Sequence, residues 1–159
     1  MKPDTTYPDC KDKKSFESGL EFQDFVCTEL MKHGIVLQNL SSKQYQFTIG
    51  ESLQGFEIKL DRRFLETNRL SIEIAEKSKA SVPVWTDSGI YRKDNTWLYI
   101  QGNKIRLYIF QKSLLVELHK SGKFIEDESY GTVRKFYLPI DKADKWCAKR
   151  IDLGDDHGK

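Results

Sequence analysis

The sequence predicts an α/β protein of the α+β kind, in which a central mixed, largely antiparallel sheet is flanked by helices. The first reason is the order of patterns: an amphipathic helical segment comes first, short alternating segments follow, and helical segments return near the end. The second is the length of 159 residues, which suits one domain. The third is composition, because 38% hydrophobic residues, with 12% aromatics, can form a packed core.

The first predicted element is a helix in the stretch SGLEFQDFVCTELMKHG, residues 18–34. Ser18 and Glu21 have the spacing of a capping box, and Gly34 supplies a C-terminal stop. Apolar side chains recur at helical spacing at Phe22, Phe25, Val26 and Leu30.

Strands are predicted next, from alternation of polar and apolar residues, at 45–49, 55–60, 70–75, 96–101 and 104–111. The stretch GNK, residues 102–104, predicts a tight turn that makes the last two strands a hairpin. Residues 113–119 read as a short helix, and TVRKFYLP, residues 132–139, reads as a late strand. A final helix is predicted over 141–149, with Asp141 as its N-cap.

The domain is predicted to span residues 15–150. Residues 1–14 and 151–159 have little apolar content, so they are predicted to be mobile tails. No apolar run approaches the length of a membrane span and the N-terminus does not resemble a signal peptide, which predicts a cytoplasmic protein. The three cysteines are widely spaced and odd in number, which predicts reduced thiols.

The charge balance excludes a strong global field, because 26 basic and 24 acidic residues leave a net charge of +2. Nucleic-acid binding would therefore need a local patch. The candidate residues for binding the phosphate backbone by charge lie in loops after the predicted strands: Arg62, Arg63, Lys77, Lys79, Arg92 and Lys93. Trp85 and Tyr91 could stack on unpaired bases or anchor their loop to the core.

The stretch GESLQGFEIKLD, residues 50–61, holds the candidate chemistry. Strand alternation places Glu57 and Lys59 on one face and apolar residues on the other. If the strand at 70–75 pairs with this one, Glu73 lies on the same polar face. Asp61 is expected to start the turn. The simplest interpretation is a solvated strand face with cross-strand ion pairs.

A second interpretation is a metal site. Neighbouring carboxylates repel each other unless a cation lies between them, and Mg²⁺ takes oxygen ligands while keeping waters and touching phosphate. A lysine beside that metal can orient the attacking water and offset charge on phosphate oxygens. An acid followed by Glu-x-Lys therefore suits the hydrolysis of a phosphodiester.

These residues resemble the PD-(D/E)XK, or restriction-endonuclease-like, nuclease superfamily. The resemblance covers about residues 15–111: the helix GLEFQDFVCTELMKHGI, the acid Glu51, the strand motif EIK at 57–59 and IEI at 72–74. Residues 71–100 also resemble small phage and bacterial members, in which a strand acid precedes a Ser-Gly-Ile segment.

The resemblance implies roles for the site residues. Glu51 corresponds to the first metal-binding acid, Glu57 to the second and Lys59 to the lysine near the attacking water, with Glu73 supporting the cluster. Some members add an acid from the first helix, where this chain offers Glu21 or Gln23. The first acid is Glu instead of Asp, its gap to Glu57 is short, and the family proline is absent. A second register therefore stays open, with Glu57 and Glu73 as the acids and Lys77 as the lysine.

The function implied by the resemblance is a Mg²⁺-dependent DNA endonuclease, in which Mn²⁺ can substitute. A chain of this size is expected to form a homodimer that places two sites on two strands. The alternative is a binding module for nucleic acid or protein on the same fold, whose carboxylates only pair with lysines.

Overall fold

The computed structural model describes residues 10–40 and 42–154. The helices are α1 (Cys10–Lys32), α2 (Lys43–Thr48), α3 (Phe64–Thr67), α4 (Lys112–Lys120) and α5 (Ile140–Trp146), with a short 3-10 helix at Gly89–Tyr91. The strands are β1 (Phe56–Leu60), β2 (Arg69–Glu76), β3 (Thr86–Asp87), β4 (Leu98–Gly102), β5 (Arg106–Gln111), β6 (Glu126–Ser129), β7 (Val133–Pro139) and β8 (Lys149–Asp152).

The strands form two four-stranded sheets. The first has the order β1-β4-β5-β8 and is mixed, because β1 runs parallel to β4 while the other pairs are antiparallel. The second has the order β3-β2-β7-β6 and is antiparallel throughout. The α+β class with a mixed, largely antiparallel sheet and flanking helices is therefore confirmed. The second sheet was not predicted, and β1 and β2 lie in different sheets instead of pairing.

The first sheet buries both faces. On one face, α1 packs Phe22, Val26 and Leu30 against Ile58 and Ile109. On the other face, alternate residues of β4 and β5 join the larger cluster, which includes Tyr99, Tyr108 and Phe110 from the first sheet and Ile72 and Phe136 from the second. The period of two in a strand thus sends neighbouring residues of β5 into different cores.

The predicted strand at 45–49 is wrong, because residues 43–48 form α2. Its first turn is closed by the Gln46 amide, which donates to the carbonyl of Ser42 at 2.9 Å. None of the six residues of α2 is buried. The alternation in YQFTI therefore did not report a buried strand face, and local backbone bonds decided the conformation.

The boundaries of the first helix differ from the prediction at one end. Helix α1 begins at Cys10, so Ser18 and Glu21 lie inside it and the predicted capping box is wrong. The predicted end is confirmed: Gly34 has φ +75°, and its amide donates to the carbonyl of Met31 at 3.0 Å. Of the predicted N-terminal tail, residues 10–14 belong to α1 and residues 1–9 lie outside the described part.

The C-terminal elements are also shifted. Helix α5 starts at Ile140 after Pro139, so Asp141 lies in its first turn and is not the cap. Strand β8 extends into the predicted C-terminal tail, where Ile151 is 8% exposed. The helix at 113–119, the strand in TVRKFYLP and the β4–β5 hairpin are confirmed by α4, β7 and the antiparallel pairing of β4 with β5.

Two further predictions concern cysteines and membranes. Cys27 and Cys147 are free thiols, as predicted. Across residues 10–40 and 42–154, no helix combines the length and the apolar character that crossing a bilayer requires.

Candidate functional site

The candidate residues meet at the edge of the first sheet, where β1 is the terminal strand. Two cavities adjoin there, and both are lined by Lys59, Leu60 and Arg62. We call the first, of about 520 Å³, the helix-side cavity; it is lined by Gly19, Leu20, Gln23, Gln46, Glu51, Ile58, Lys59, Leu60 and Arg62.

The second cavity, of about 650 Å³, lies between the sheets, and we call it the inter-sheet cleft. Its lining residues are Lys59, Leu60, Asp61, Arg62, Arg63, Thr67, Arg69, Ser71, Glu73, Tyr99, Gln101, Ser129, Tyr130, Lys135 and Tyr137. Since Lys59 belongs to both cavities, an extended ligand could pass this side chain from one cavity to the other.

Glu57 is the buried acid of the site. Its side chain is fully buried, and neither carboxylate oxygen has a hydrogen-bond partner, although the Nζ of Lys59 lies 2.9 Å from Oε1. Burial raises the pKa of Glu57 to about 7, against the opposing charge of Lys59. The strand thus holds a carboxylate where its charge is disfavoured unless a cation is present.

Lys59 lies between two acids. Its Nζ is 2.9 Å from Oε1 of Glu57 and 3.8 Å from Oε1 of Glu51, and its side chain is 30% exposed. Burial alone would lower the pKa of Lys59, but the neighbouring acidic groups, Glu57 foremost, outweigh burial and raise it. Lys59 is therefore a permanent cation at neutral pH.

Glu51 is positioned by the loop after α2. Gly50 has φ +146°, and a Cβ at this position would collide with the side chain of Asn95, which donates to the carbonyl of Ser52 at 2.8 Å. The guanidinium Nη1 of Arg92 lies 3.7 Å from Oε1 of Glu51. Oε2 of Glu51 is buried without a hydrogen bond, so it is available to a ligand.

Glu73 approaches from the second sheet. Ser88 Oγ donates a hydrogen bond to Oε1 of Glu73. Gly89 has φ +52°, and a Cβ there would collide with the backbone of Glu73, so only glycine allows this close packing. The Ser-Gly-Ile segment therefore fixes the strand acid. The pairing of β2 with β7 shifts its register between Glu73 and Ala75, so a β-bulge lies directly after Glu73.

The acids do not form one compact cluster. Within the described ranges, no group of three or more His, Cys, Asp or Glu side chains is arranged to hold a metal ion. Glu51 and Glu57 nevertheless share Lys59 as a neighbour. Together they carry three buried carboxylate oxygens that make no hydrogen bond. Such a pair fits Mg²⁺, which in many sites uses one or two carboxylates and otherwise waters and substrate phosphate.

Of the two helix candidates, Gln23 reaches the site. It lines the helix-side cavity together with Glu51 and Lys59. Glu21 is exposed and lines a separate small cavity near Lys104.

The predicted basic residues divide into three groups. Arg62 and Arg63 line the inter-sheet cleft. Arg92 is occupied inside the protein, since it lies near Glu51 and its Nη2 donates to the carbonyl of Gln46 at 2.8 Å. The others line neither cavity: Lys77, which lies 4.4 Å from the ring of Trp85, and the exposed Lys79 and Lys93. The second register, which needs Lys77, is not assembled in this structure.

Four residues at or near the site were missed from the sequence: Asp61, Asp94, Tyr99 and Gln101. Asp61 does not merely start a turn, because its Oδ2 accepts from the amide of Ser71 at 2.9 Å and from Nε2 of Gln101 at 3.1 Å. Asp94 is buried, with Lys112 Nζ at 3.2 Å.

Tyr99 and Gln101 lie opposite Glu57 and Lys59 in the parallel β1–β4 register. Both are buried, and the hydroxyl of Tyr99 and Oε1 of Gln101 have no hydrogen-bond partner. Burial raises the pKa of Tyr99 well above its ordinary value, so its hydroxyl stays protonated. The sequence predicted a strand at 96–101 in which Tyr99 and Gln101 lie on one face. It did not predict that this strand pairs in parallel with β1.

Neither the protein-family models, nor the curated proteins, nor the solved structures that were compared with this chain gave a match.

Proposed function

We propose that the protein is a Mg²⁺-dependent endonuclease that hydrolyses phosphodiester bonds in DNA. The observation that carries the proposal is the buried Glu57, whose carboxylate has no hydrogen bond and lies 2.9 Å from Lys59 at the meeting point of two cavities. Glu57 lines neither cavity itself, but its partner Lys59 lines both. A buried carboxylate with a strongly perturbed pKa beside a cleft is a candidate for a functional site.

The chain's own residues have separate tasks in this proposal. Glu51 and Glu57 hold the metal, which supplies positive charge at the scissile phosphate when bound. Lys59, protonated at neutral pH, orients the attacking water and offsets negative charge growing on the phosphate oxygens. Glu73, held by Ser88, adds negative charge on the opposite wall, and Arg62 and Arg63 attract the phosphate backbone.

The direct test is a cleavage assay on linear, circular, single-stranded and four-way-junction DNA with Mg²⁺ or Mn²⁺. We expect metal-dependent cutting by the wild type and none by Lys59→Ala. The matched control is Lys120→Ala, an exposed lysine of α4 that lines neither the helix-side cavity nor the inter-sheet cleft. Undiminished cutting by Lys59→Ala would refute the assignment.

A second candidate function is a non-catalytic binding module for nucleic acid or protein. Two observations favour it. Among the residues described, no three acidic, histidine or cysteine side chains are arranged to hold a metal ion, and Arg92 already pairs with Glu51. Calorimetry with Mn²⁺ separates the two candidates. Saturable binding that Glu57→Ala removes supports the nuclease, whereas no Mn²⁺ binding in the presence of DNA supports the module.

The proposal extends to assembly and location. We propose a homodimer that places two sites on the two strands of a duplex, and a cytoplasmic location. A light-scattering mass equal to one chain would overturn the dimer.

A further inference from the structure

The inter-sheet cleft carries more positive charge than the chain as a whole would suggest. Five cationic side chains line it: Lys59, Arg62, Arg63, Arg69 and Lys135. Only two acids, Asp61 and Glu73, line it. Lys59 also pairs with Glu57, and Arg63 with Glu66, outside this lining. Arg62, Arg69 and Lys135 are further cations that line the cleft beside the two acids, which suits an anionic ligand.

Two buried polar groups in the same cleft lack partners. Tyr99 is 0% exposed and Gln101 is 2% exposed, and the Tyr99 hydroxyl and Gln101 Oε1 make no hydrogen bond. Buried polar groups are nearly always paired in native proteins, so exceptions need a reason. A ligand inserted into the cleft would supply the missing partners, with an acceptor or donor for Tyr99 and a donor for Gln101.

Aromatic side chains lie on the second-sheet side of the cleft. Tyr130, at the turn between β6 and β7, is 96% exposed and has φ +55°, an uncommon conformation for a bulky residue. Tyr137 is half-buried, and the guanidinium of Arg69 lies over its ring at 3.6 Å from the ring centre. The exposed ring of Tyr130 beside cations is typical of surfaces that bind single strands.

From these observations we propose that the inter-sheet cleft is a subsite for one unpaired nucleotide next to the scissile phosphate, and that the preferred substrate is therefore unpaired DNA. A volume of about 650 Å³ lies in the range of small-ligand pockets. The unpaired polar groups of Tyr99 and Gln101 are buried, so a nucleobase must be inserted into the cleft to reach them. A nucleotide in an intact duplex cannot do so without leaving the stack.

The subsite positions each part of the nucleotide. Tyr99 and Gln101 contact the edge of the inserted base, Tyr130 stacks on a neighbouring base, and Lys135 and Arg62 attract the flanking phosphates. The inference rests on the proposed function for the position of the scissile phosphate at Lys59. The nucleotide-binding chemistry of the cleft stands on its own residues.

The test is fluorescence anisotropy in EDTA, so that no cleavage takes place. The probes are a short fluorescein-labelled DNA strand of mixed sequence and the same strand annealed as a blunt duplex. We expect the wild type to bind the single strand at least about tenfold more tightly. Tyr130→Ala should weaken single-strand binding about tenfold, by the loss of one stacked base, and Tyr99→Phe about fivefold, by the loss of one hydrogen bond.

The controls separate a binding effect from a folding effect. Tyr99→Phe removes only an unpaired hydroxyl, so its thermal unfolding midpoint should not fall. Ile125→Ala shortens a side chain that is 71% exposed and does not line the cleft, and should leave both affinities unchanged. Equal affinity for single strand and duplex, or single-strand binding insensitive to both Tyr130→Ala and Tyr99→Phe, would overturn the inference.

These binding measurements, together with the metal-dependent cleavage assay, separate this inference from the proposed nuclease. Single-strand binding with the expected variant effects but no metal-dependent cutting would keep the subsite and overturn the nuclease. Cutting of duplex DNA that depends on Lys59, without a preference for single strands, would keep the nuclease and overturn the subsite.

Discussion

Glu57 should make the stability of the protein depend on pH in a direction opposite to that of most carboxylates. Burial raises the pKa of this group from its ordinary value of 4.5 to about 7 in the folded protein. Between these two values the folded state holds the proton and the unfolded state has released it. Stability contributed by Glu57 is therefore complete below about pH 4.5 and is lost as pH rises to about 7.

The magnitude follows from the two pKa values. A difference of about 2.5 in pKa corresponds to about 3 kcal/mol of unfolding free energy at 1.36 kcal/mol for each unit. Because the Glu57 side chain is fully buried, solvent does not screen this effect. Glu57→Gln, which stays uncharged, should remove this part of the pH dependence and keep the shape of the side chain.

The assay is urea unfolding of the metal-free protein at pH 5 and pH 8. The unfolded carboxyl is already mostly ionised at pH 5, so the unfolding free energy of the wild type should fall relative to that of Glu57→Gln by about 2.5 kcal/mol between the two conditions. Glu66→Gln is the matched control, because its side chain is 70% exposed, and it should follow the wild type. Identical pH slopes for wild type and Glu57→Gln would refute the argument that burial controls this carboxylate.

Three other changes test the parts that support the site, each measured by urea unfolding. Gly89→Ala should destabilise the protein by about 2 kcal/mol or more, since φ is +52° and the new Cβ meets the backbone of Glu73; an unchanged midpoint would contradict this. Asp94→Ala should cost about 3 to 5 kcal/mol, because Lys112, 12% exposed, loses its carboxylate, whereas exposed Asp141→Ala should have little effect. Ile151→Ala should cost about 2 to 5 kcal/mol, and a loss below 1 kcal/mol would show that β8 is dispensable.

The sequence pattern predicted the structure correctly where a single glycine or a short turn decides it. The end of α1 depends on one glycine with a positive φ, and the β4–β5 hairpin depends on a short turn flanked by alternating residues. It failed at α2, where alternation was mistaken for burial, and at Ser18, where a capping pattern lies within a longer helix. At α2 the backbone hydrogen bonds of a short helix outweighed the alternation, and at Ser18 the helix extends further toward the N-terminus.

The candidate site depended more on long-range pairing. Glu57 and Lys59 could be identified because alternation within one strand puts them on one face. Tyr99 and Gln101 could not, because β1 pairs in parallel with β4 across a long crossover that contains β2 and β3. Glu73 was placed near Lys59 by an incorrect pairing, and it reaches the cleft from the other sheet instead.

The edge position of β1 explains why the cleft and the acids occur together. As a terminal strand, β1 pairs with β4 along one edge only. The inter-sheet cleft adjoins its C-terminal part, where Lys59 and Leu60 line the cleft. Glu57, in the middle of the strand, has a fully buried side chain, while Lys59, two residues further, lines both cavities. A single strand thus supplies a buried carboxylate with a raised pKa and, beside it, a partly exposed cation. The alternation within the strand puts both on one face, and the second sheet forms the other wall of the cleft that Lys59 lines.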